Sequence, residues 1–293
     1  MLLIVGEAIV AYQRSIDAVH PDAPYTGPWP SGSPAIAAYV AGRLGVPVTF
    51  VGGVGRDEHG AVMTAGLAAG GVDTGRLVIS DDAPTAAAYI TYRGELREFE
   101  FTVTGTAGVQ VCSQDLGDLP ERAGWFHMSG SALIFGEPLA STTLAALRRA
   151  KAAGARISVD PNVRPEALTL EGRDALIDAL RMADVLLPSE GELSALGVDP
   201  DALIANGTII CTTYGAEGAS VRDGSGVIRI DPVTVDAVDT DGAGDSFAAG
   251  FIAAAMAGGD PVDAARAGAR VAAAAIVTEG PMTVVPGPDL LAG

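Results

Sequence analysis

The sequence predicts an α/β protein in three layers, a mainly parallel central sheet with helices on both faces and a small β lid beside it. Three observations carry that expectation. Short continuous apolar runs, suited to strands buried on both faces, recur along the chain; apolar residues at helical spacing separate them; and residues 86–103 alternate at period two around a glycine-containing turn. Strand and helix in alternation imply parallel pairing under helical cover.

Taken in order, residues 2–5 form a first buried strand ending at Gly6. Residues 12–30, rich in Pro, Asp and aromatic side chains, read as irregular or edge structure. Ser33 and Pro34 cap and open a helix that closes near Gly45, residues 48–51 are the next strand, and Asp57 caps a helix running to about Ala69 before Gly70 and Gly71. Residues 86–92 and 97–103 form a hairpin about Arg93-Gly94-Glu95, the candidate lid. Strands follow at 125–129, 156–160, 185–187 and 209–213, separated by helical patterns at about 138–153, 170–183 and 189–205. Strand-like pieces at 219–222 and 227–230 turn at Asp223-Gly224, and two small-residue helices close the chain at about 243–257 and 261–278. Without an internal repeat or a dividing linker, 1–293 is expected to be one domain, with lid segments at about 11–30 and 85–104.

Composition narrows the chemistry. Lys+Arg 18 against Asp+Glu 36 gives a net charge of −18, which argues against nucleic acid or an anionic membrane surface as partner. Phosphorylated ligands must then be held by backbone amides, a metal or a few placed arginines. The sole lysine, Lys151, follows Arg148 and Arg149 on what reads as an exposed helix face, so a Walker-type lysine loop is absent and a pyridoxal site is disfavoured. His20, His59 and His127 lack metal-ligand spacing. Cys112 and Cys211, each in an apolar strand-like run, suit buried thiols in a reducing cytoplasm. The N-terminus lacks a basic region before its apolar run and reads as a strand, not a signal peptide, and no run has membrane-spanning length.

The most informative stretch is Asp239-Thr240-Asp241-Gly242-Ala243-Gly244-Asp245. Small residues let the backbone approach a ligand closely, and Phe247 and Phe251, one turn apart, mark the buried face of the helix that follows. Unpaired amides and the positive dipole end at the helix start favour an anion, and Asp245 is placed to accept a proton from an attacking hydroxyl. An Asp in a first turn also complements the dipole without any catalytic role. Thr213-Tyr214-Gly215-Ala216-Glu217-Gly218 follows a strand, at the carboxyl edge where α/β ligands bind. Ser189 and Glu192 read either as a capping box or as site residues, and Asp160-Pro161-Asn162-Val163-Arg164 leaves the end of another strand.

Together these strings resemble the ribokinase-like (PfkB-type) carbohydrate kinases, and within them the fructokinase and 2-keto-3-deoxygluconate kinase branch. The first matches the family's D-T-x-G-A-G-D signature, the second its T-x-G-x-x-G nucleotide loop, the third its N-x-x-E with Ser189 in place of Asn, and the fourth D-x-N-x-R. The resemblance implies a ribokinase-like fold and an ATP-dependent kinase. Asp245 would be the base, and the amides of Gly242, Ala243 and Gly244 the anion hole. Ser189, Glu192, Thr213, Gly215 and Gly218 would serve the nucleotide. It further implies Mg²⁺ ordered through Glu192 and water, potassium activation at Asp239 and the Asp241 carbonyl, Asn162 near the phosphates, Arg164 near the acceptor or its carboxylate, and a homodimer formed through the lids.

On the acceptor side the sequence departs from the pattern. Ala11 stands where the family's sugar-binding Asp ends the first motif, Ile36 replaces the Asn of G-G-x-P-A-N in the segment containing Gly32, and Val103 takes the place of a lid Arg. A buried hydroxyl facing three apolar residues loses hydrogen bonds at about 1–3 kcal/mol each, so an ordinary polyhydroxylated sugar is poorly matched. The expected acceptor is a small sugar-like molecule: a ketose, deoxysugar or sugar acid. A nucleoside kinase with an apolar base pocket and a catalytically silent ligand-binding relative are the alternatives, and the presence of Asp245 argues against the second.

Overall fold

The computed structural model describes residues 1–15, 22–93, 96–163, 168–283 and 287–292. Its main sheet has eight strands in the spatial order Gly226–Ile230, Ala219–Asp223, Ile209–Thr213, Val185–Leu186, Arg156–Asp160, Trp125–Ser129, Leu2–Val5 and Val48–Val51. From Val48–Val51 to Ile209–Thr213 every pairing is parallel, and the last two strands join antiparallel. The first strand illustrates why the apolar runs are continuous. Leu2 and Ile4 join the core under helices Ser33–Arg43, Ala243–Met256 and Pro261–Ala275, while Leu3 and Val5 join the opposite core under Leu139–Ala152 and Leu170–Met182.

A second sheet of four strands stands apart, in the order Thr26–Ser31, Ile9–Ser15, Ala86–Arg93 and Leu96–Thr102. The hairpin pattern of 86–103 therefore lies outside the parallel sheet, as its alternation required; its tip, residues 94–95, is outside the described residues. Of the reading of 12–30 as irregular or edge structure, the edge half holds for the strand Thr26–Ser31, whereas Ile9–Ser15 is an interior strand of this sheet. Prolines and glycines obscured them, and Pro28 and Pro30 are tolerated because Thr26–Ser31 lies at the sheet edge.

Other departures have local causes. The helical pattern of 189–205 breaks into Glu192–Ala195 and Pro200–Ala205, because Gly197 adopts φ 65° and Pro200 starts a new helix. Asp57 does cap its helix, accepting from the Gly60 amide at 2.7 Å. Ser33 does not: Gly32 is the N-cap, and the Ser33 side chain turns elsewhere. Cys112 lies in a loop, half-buried, whereas Cys211 is a buried strand residue whose thiol is pushed up by desolvation. Burial holds the His127 imidazole down to about 4, so it is a neutral core group. Among the described residues no helix is long and apolar enough to cross a membrane.

Candidate active site

The carboxyl ends of the parallel strands place their following residues on one edge of the sheet: Glu7, Ser129 to Ser131, Asp160 to Asn162, Ser189 and Thr213. The helix Ala243–Met256 begins over this edge, and two cavities meet at its first turn.

One cavity, about 270 Å³, contains Asp245 and Asp241 together with Ser33 and Asn162 at its polar end. Glu7, Ser31 and Ser131 add further polar groups, and the remaining wall is largely hydrocarbon, with Ile9, Ile36, Ile90, Phe99, Phe101 and Val103 prominent. The other, about 540 Å³, is bounded by Ala243, Gly244 and Thr240 on the helix side and by Ser189, Thr213, Gly215 and Gly218 opposite. Its remaining wall includes Val233, Val235, Ala272 and Ile276. The sequence reading gave no role to 232–237, because a Pro- and Val-rich extended stretch without a period carries no site signal.

The glycines of the two loops do different work. Gly242 is the helix N-cap at φ 76°, and an added Cβ would meet Ile36 Cγ2 at 3.1 Å. Gly218, at φ 88°, packs so closely on the 230–232 backbone that a Cβ would lie 2.2 Å from the Ile230 carbonyl oxygen. Gly244 and Gly215 differ: a Cβ on either meets no protein atom within 4 Å, and both line the larger cavity. That open cradle at the helix start fits a polyphosphate, although the Ala243 amide here donates to the Thr240 carbonyl at 3.3 Å. We expect Gly242→Ala to lower the melting temperature by a few degrees, reflecting roughly 1–2 kcal/mol of left-handed strain. Gly244→Ala should melt like the parent without nucleotide yet bind ATP at least about tenfold more weakly by calorimetry, since the methyl occupies phosphate space. Parental ATP affinity in Gly244→Ala would refute the placement.

The acidic groups are tied into the loops. Asp245 is 9% exposed, and the Ser33 hydroxyl donates to its Oδ1. Asp241 accepts from Gln13 Nε2 at 3.3 Å. Asp239 Oδ1 accepts from the Asp241 amide at 2.9 Å and from the Tyr92 hydroxyl at 3.1 Å, while Oδ2 accepts from the Gly280 amide at 2.9 Å. The small sheet is thus hydrogen-bonded directly to the 239–245 loop. Glu192 accepts from the Val163 and Ser189 amides, both at 2.7 Å, so its carboxylate ties two strand-end loops together. Only half of the expected capping box exists, for the Ser189 hydroxyl sits 3.4 Å from that of Thr213 and Gly191 is the cap. Asn162, at φ 41°, donates its amide to Ser33 Oγ at 2.8 Å. Among the described residues no group of three His, Cys, Asp or Glu side chains converges as a metal site.

Of the residues expected on the acceptor side, Gly32, Ile36, Val103, Asn162 and Asp245 line the smaller cavity. Ala11 does not. Its strand face points the right way, with Ile9 on the cavity wall and Gln13 reaching Asp241, but a side chain of one methyl is wholly buried between them. Arg164 lies outside the described residues.

The comparisons agree with this geometry. A family model described as pfkB family carbohydrate kinase matches residues 1–287. Fructokinase-1 of Zea mays is 34% identical over 263 residues, covering 84% of this chain and 80% of its own length. Fructokinase of Klebsiella pneumoniae is 35% identical over 281 residues, covering 89% and 90%. Among solved structures, a protein from E. coli in complex with ATP and Mg²⁺ superposes with TM-score 0.90 at 32% identity, covering 99% of this chain and 97% of that one. The fructokinase of Vibrio cholerae O395 in its fructose, ADP and calcium ion bound form gives 0.86 at 28%, covering 99% and 97%.

Proposed function

The chain belongs to the pfkB family of carbohydrate kinases and is an ATP-dependent sugar kinase, and from that premise we propose how its residues divide the reaction and which sugars it favours. The observation that carries the proposal is the meeting of two cavities at one helix start, with Asp245 facing the smaller and Ala243 and Gly244 facing the larger.

In this reading the acceptor occupies the smaller cavity with a hydroxyl at Asp245, whose carboxylate takes the proton as the oxygen attacks. The amides of Gly242, Ala243 and Gly244 stabilise charge on the transferring phosphoryl group. Thr213, Gly215 and Gly218 line the nucleotide side, and Val233, Val235 and Ile276 offer an apolar wall suited to a base. ATP, when bound, supplies the phosphoryl group, and Mg²⁺ neutralises its oxygens. With no protein metal cluster among the described residues, and with both Glu192 oxygens on backbone amides, the ion would be held by phosphate oxygens and water, with Glu192 outside that shell. The small sheet acts as the lid, closing over the acceptor and excluding water, with Tyr92 and Gln13 linking its position to the anion hole.

The acceptor should be an amphipathic sugar. Polar partners gather at one end of its cavity, whereas Ile9, Ile36, Ile90 and the exposed, stacked Phe99 and Phe101 face the other. A sugar lacking hydroxyls on that side, or carrying an apolar substituent there, keeps its hydrogen bonds and loses none to hydrocarbon. ADP release measured across ketoses, their deoxy analogues, sugar acids and nucleosides tests this. Deoxy or apolar-substituted sugars should show the highest kcat/KM; unmodified fructose leading the panel would contradict the acceptor reading while leaving the kinase assignment intact.

A further inference from the structure

Ser33 has no capping role, yet its hydroxyl has three side-chain partners in the acceptor cavity. It donates to Asp245 Oδ1, receives the Asn162 amide at 2.8 Å, and lies 2.9 Å from Ser129 Oγ. A hydroxyl has one proton and two lone pairs. That proton is in reach of both Ser129 and Asp245, and a carboxylate can only accept, so it goes to Asp245 when that group is ionised, while the Asn162 amide fills one lone pair. Ser129 is in turn fixed 2.9 Å from Ser131, and Ser131 donates to the buried Glu7 at 2.6 Å. Apart from Ser129 and Ser131, which share one strand end, these residues come from different strand ends or helix starts, so the row is built by tertiary structure and has no signature in the sequence.

We propose that Ser33 is a positioning residue for Asp245, its hydroxyl held in place by the Asn162 amide and by contact with Ser129. The proposal rests on Asp245 being the base. A donor fixed on Oδ1 restrains the carboxylate's orientation and stabilises its ionised form. Because the Asn162 amide and Ser129 fix the Ser33 oxygen, its hydroxyl lies beside the carboxylate before any acceptor arrives.

The test uses the full chain and two readouts. In the first, Ser33→Ala should lower kcat for the fastest sugar of the acceptor panel by about 10- to 100-fold, with KM for ATP within about threefold of the parent. Combined with Asp245→Asn, the Ser33→Ala change should cost nothing further, since it acts through the carboxylate already removed. In the second, carbon-13 NMR of the Asp245 side chain should show its carboxyl titrating about one unit higher in Ser33→Ala than in the parent, because a donor to the charged form is gone. The Asp241 and Glu7 carboxylates that face the same cavity are present in both proteins, so they cancel in the comparison. This readout needs no acceptor, which separates failure of the proposal from failure of the sugar-kinase reading. If Ser33→Ala does not fold, Ser129→Ala removes one of the contacts that fix the Ser33 hydroxyl and should lower kcat about three- to tenfold. An unshifted Asp245 titration, an effect confined to KM, or an undiminished loss in the Asp245→Asn background would each overturn the proposal.

Discussion

Asp245→Asn should retain ATP binding and lose kcat by about 10²–10⁴-fold, the span usual for removing a general base. The substitution is nearly isosteric, and the amide oxygen still accepts the Ser33 proton, so the hydrogen-bond row and the helix start should survive. What disappears is the group that takes the acceptor's proton at the moment charge builds on the attacking oxygen. Nucleotide affinity by calorimetry and kcat by ADP release separate the two effects. An Asn variant with near-parental kcat would show that the proton leaves by another route and would remove Asp245 from the chemistry.

Ile36→Asn should raise kcat/KM for fructose by roughly 5- to 150-fold, equivalent to about 1–3 kcal/mol for one restored hydrogen bond. Ile36 is the strongest place for such a gain, because it lines the acceptor cavity from a fixed helix while only 3% of its surface is exposed. The same burial carries a cost: Ile36 packs beside Gly242 and within the core, so a melting temperature lowered by several degrees should accompany the gain. Ala11→Asp, the companion change suggested by sequence pattern, is expected to be different. Position 11 is wholly buried and off the cavity wall, so a carboxylate there would be desolvated without a partner and should mainly destabilise the protein. An unchanged fructose preference in a folded Ile36→Asn protein would show that this wall does not set specificity.

These two positions show what the sequence does and does not disclose. The strands and helices of the main sheet were legible because burial on both faces forces continuous apolar runs, and the helix start at 243 because glycine at φ 76° and a bare first turn leave a local signature. Thr213, Gly215, Gly218 and Gly244 line one cavity, as the resemblance of their two loops to the family's signatures implies. The acceptor cavity was less legible. Its walls come from Ile9, Ile90, Phe99, Phe101 and Phe135, residues whose apolar character in a half-exposed strand or loop is equally consistent with core, and only tertiary structure brings them opposite Asp245. Ser33 read as a cap because Ser before Pro at a helix start usually is one, and nothing local to the chain reveals that Asn162 and Ser129 draw it into the site. Glu192 reads from the sequence either as half of a capping box or as a site residue, and its hold on the Val163 amide, a contact across 29 residues of chain, has no local signal.

The most direct test is a structure of the protein with a non-hydrolysable ATP analogue and the best acceptor of the panel. The account predicts the terminal phosphate against the amides of 242–244 in the larger cavity. It also predicts one acceptor hydroxyl within about 3 Å of the Asp245 carboxylate, with the apolar side of the sugar against Ile36 and the Phe99–Phe101 pair. An acceptor bound with no hydroxyl at Asp245, or a nucleotide whose phosphates avoid the helix start at 243, would contradict it.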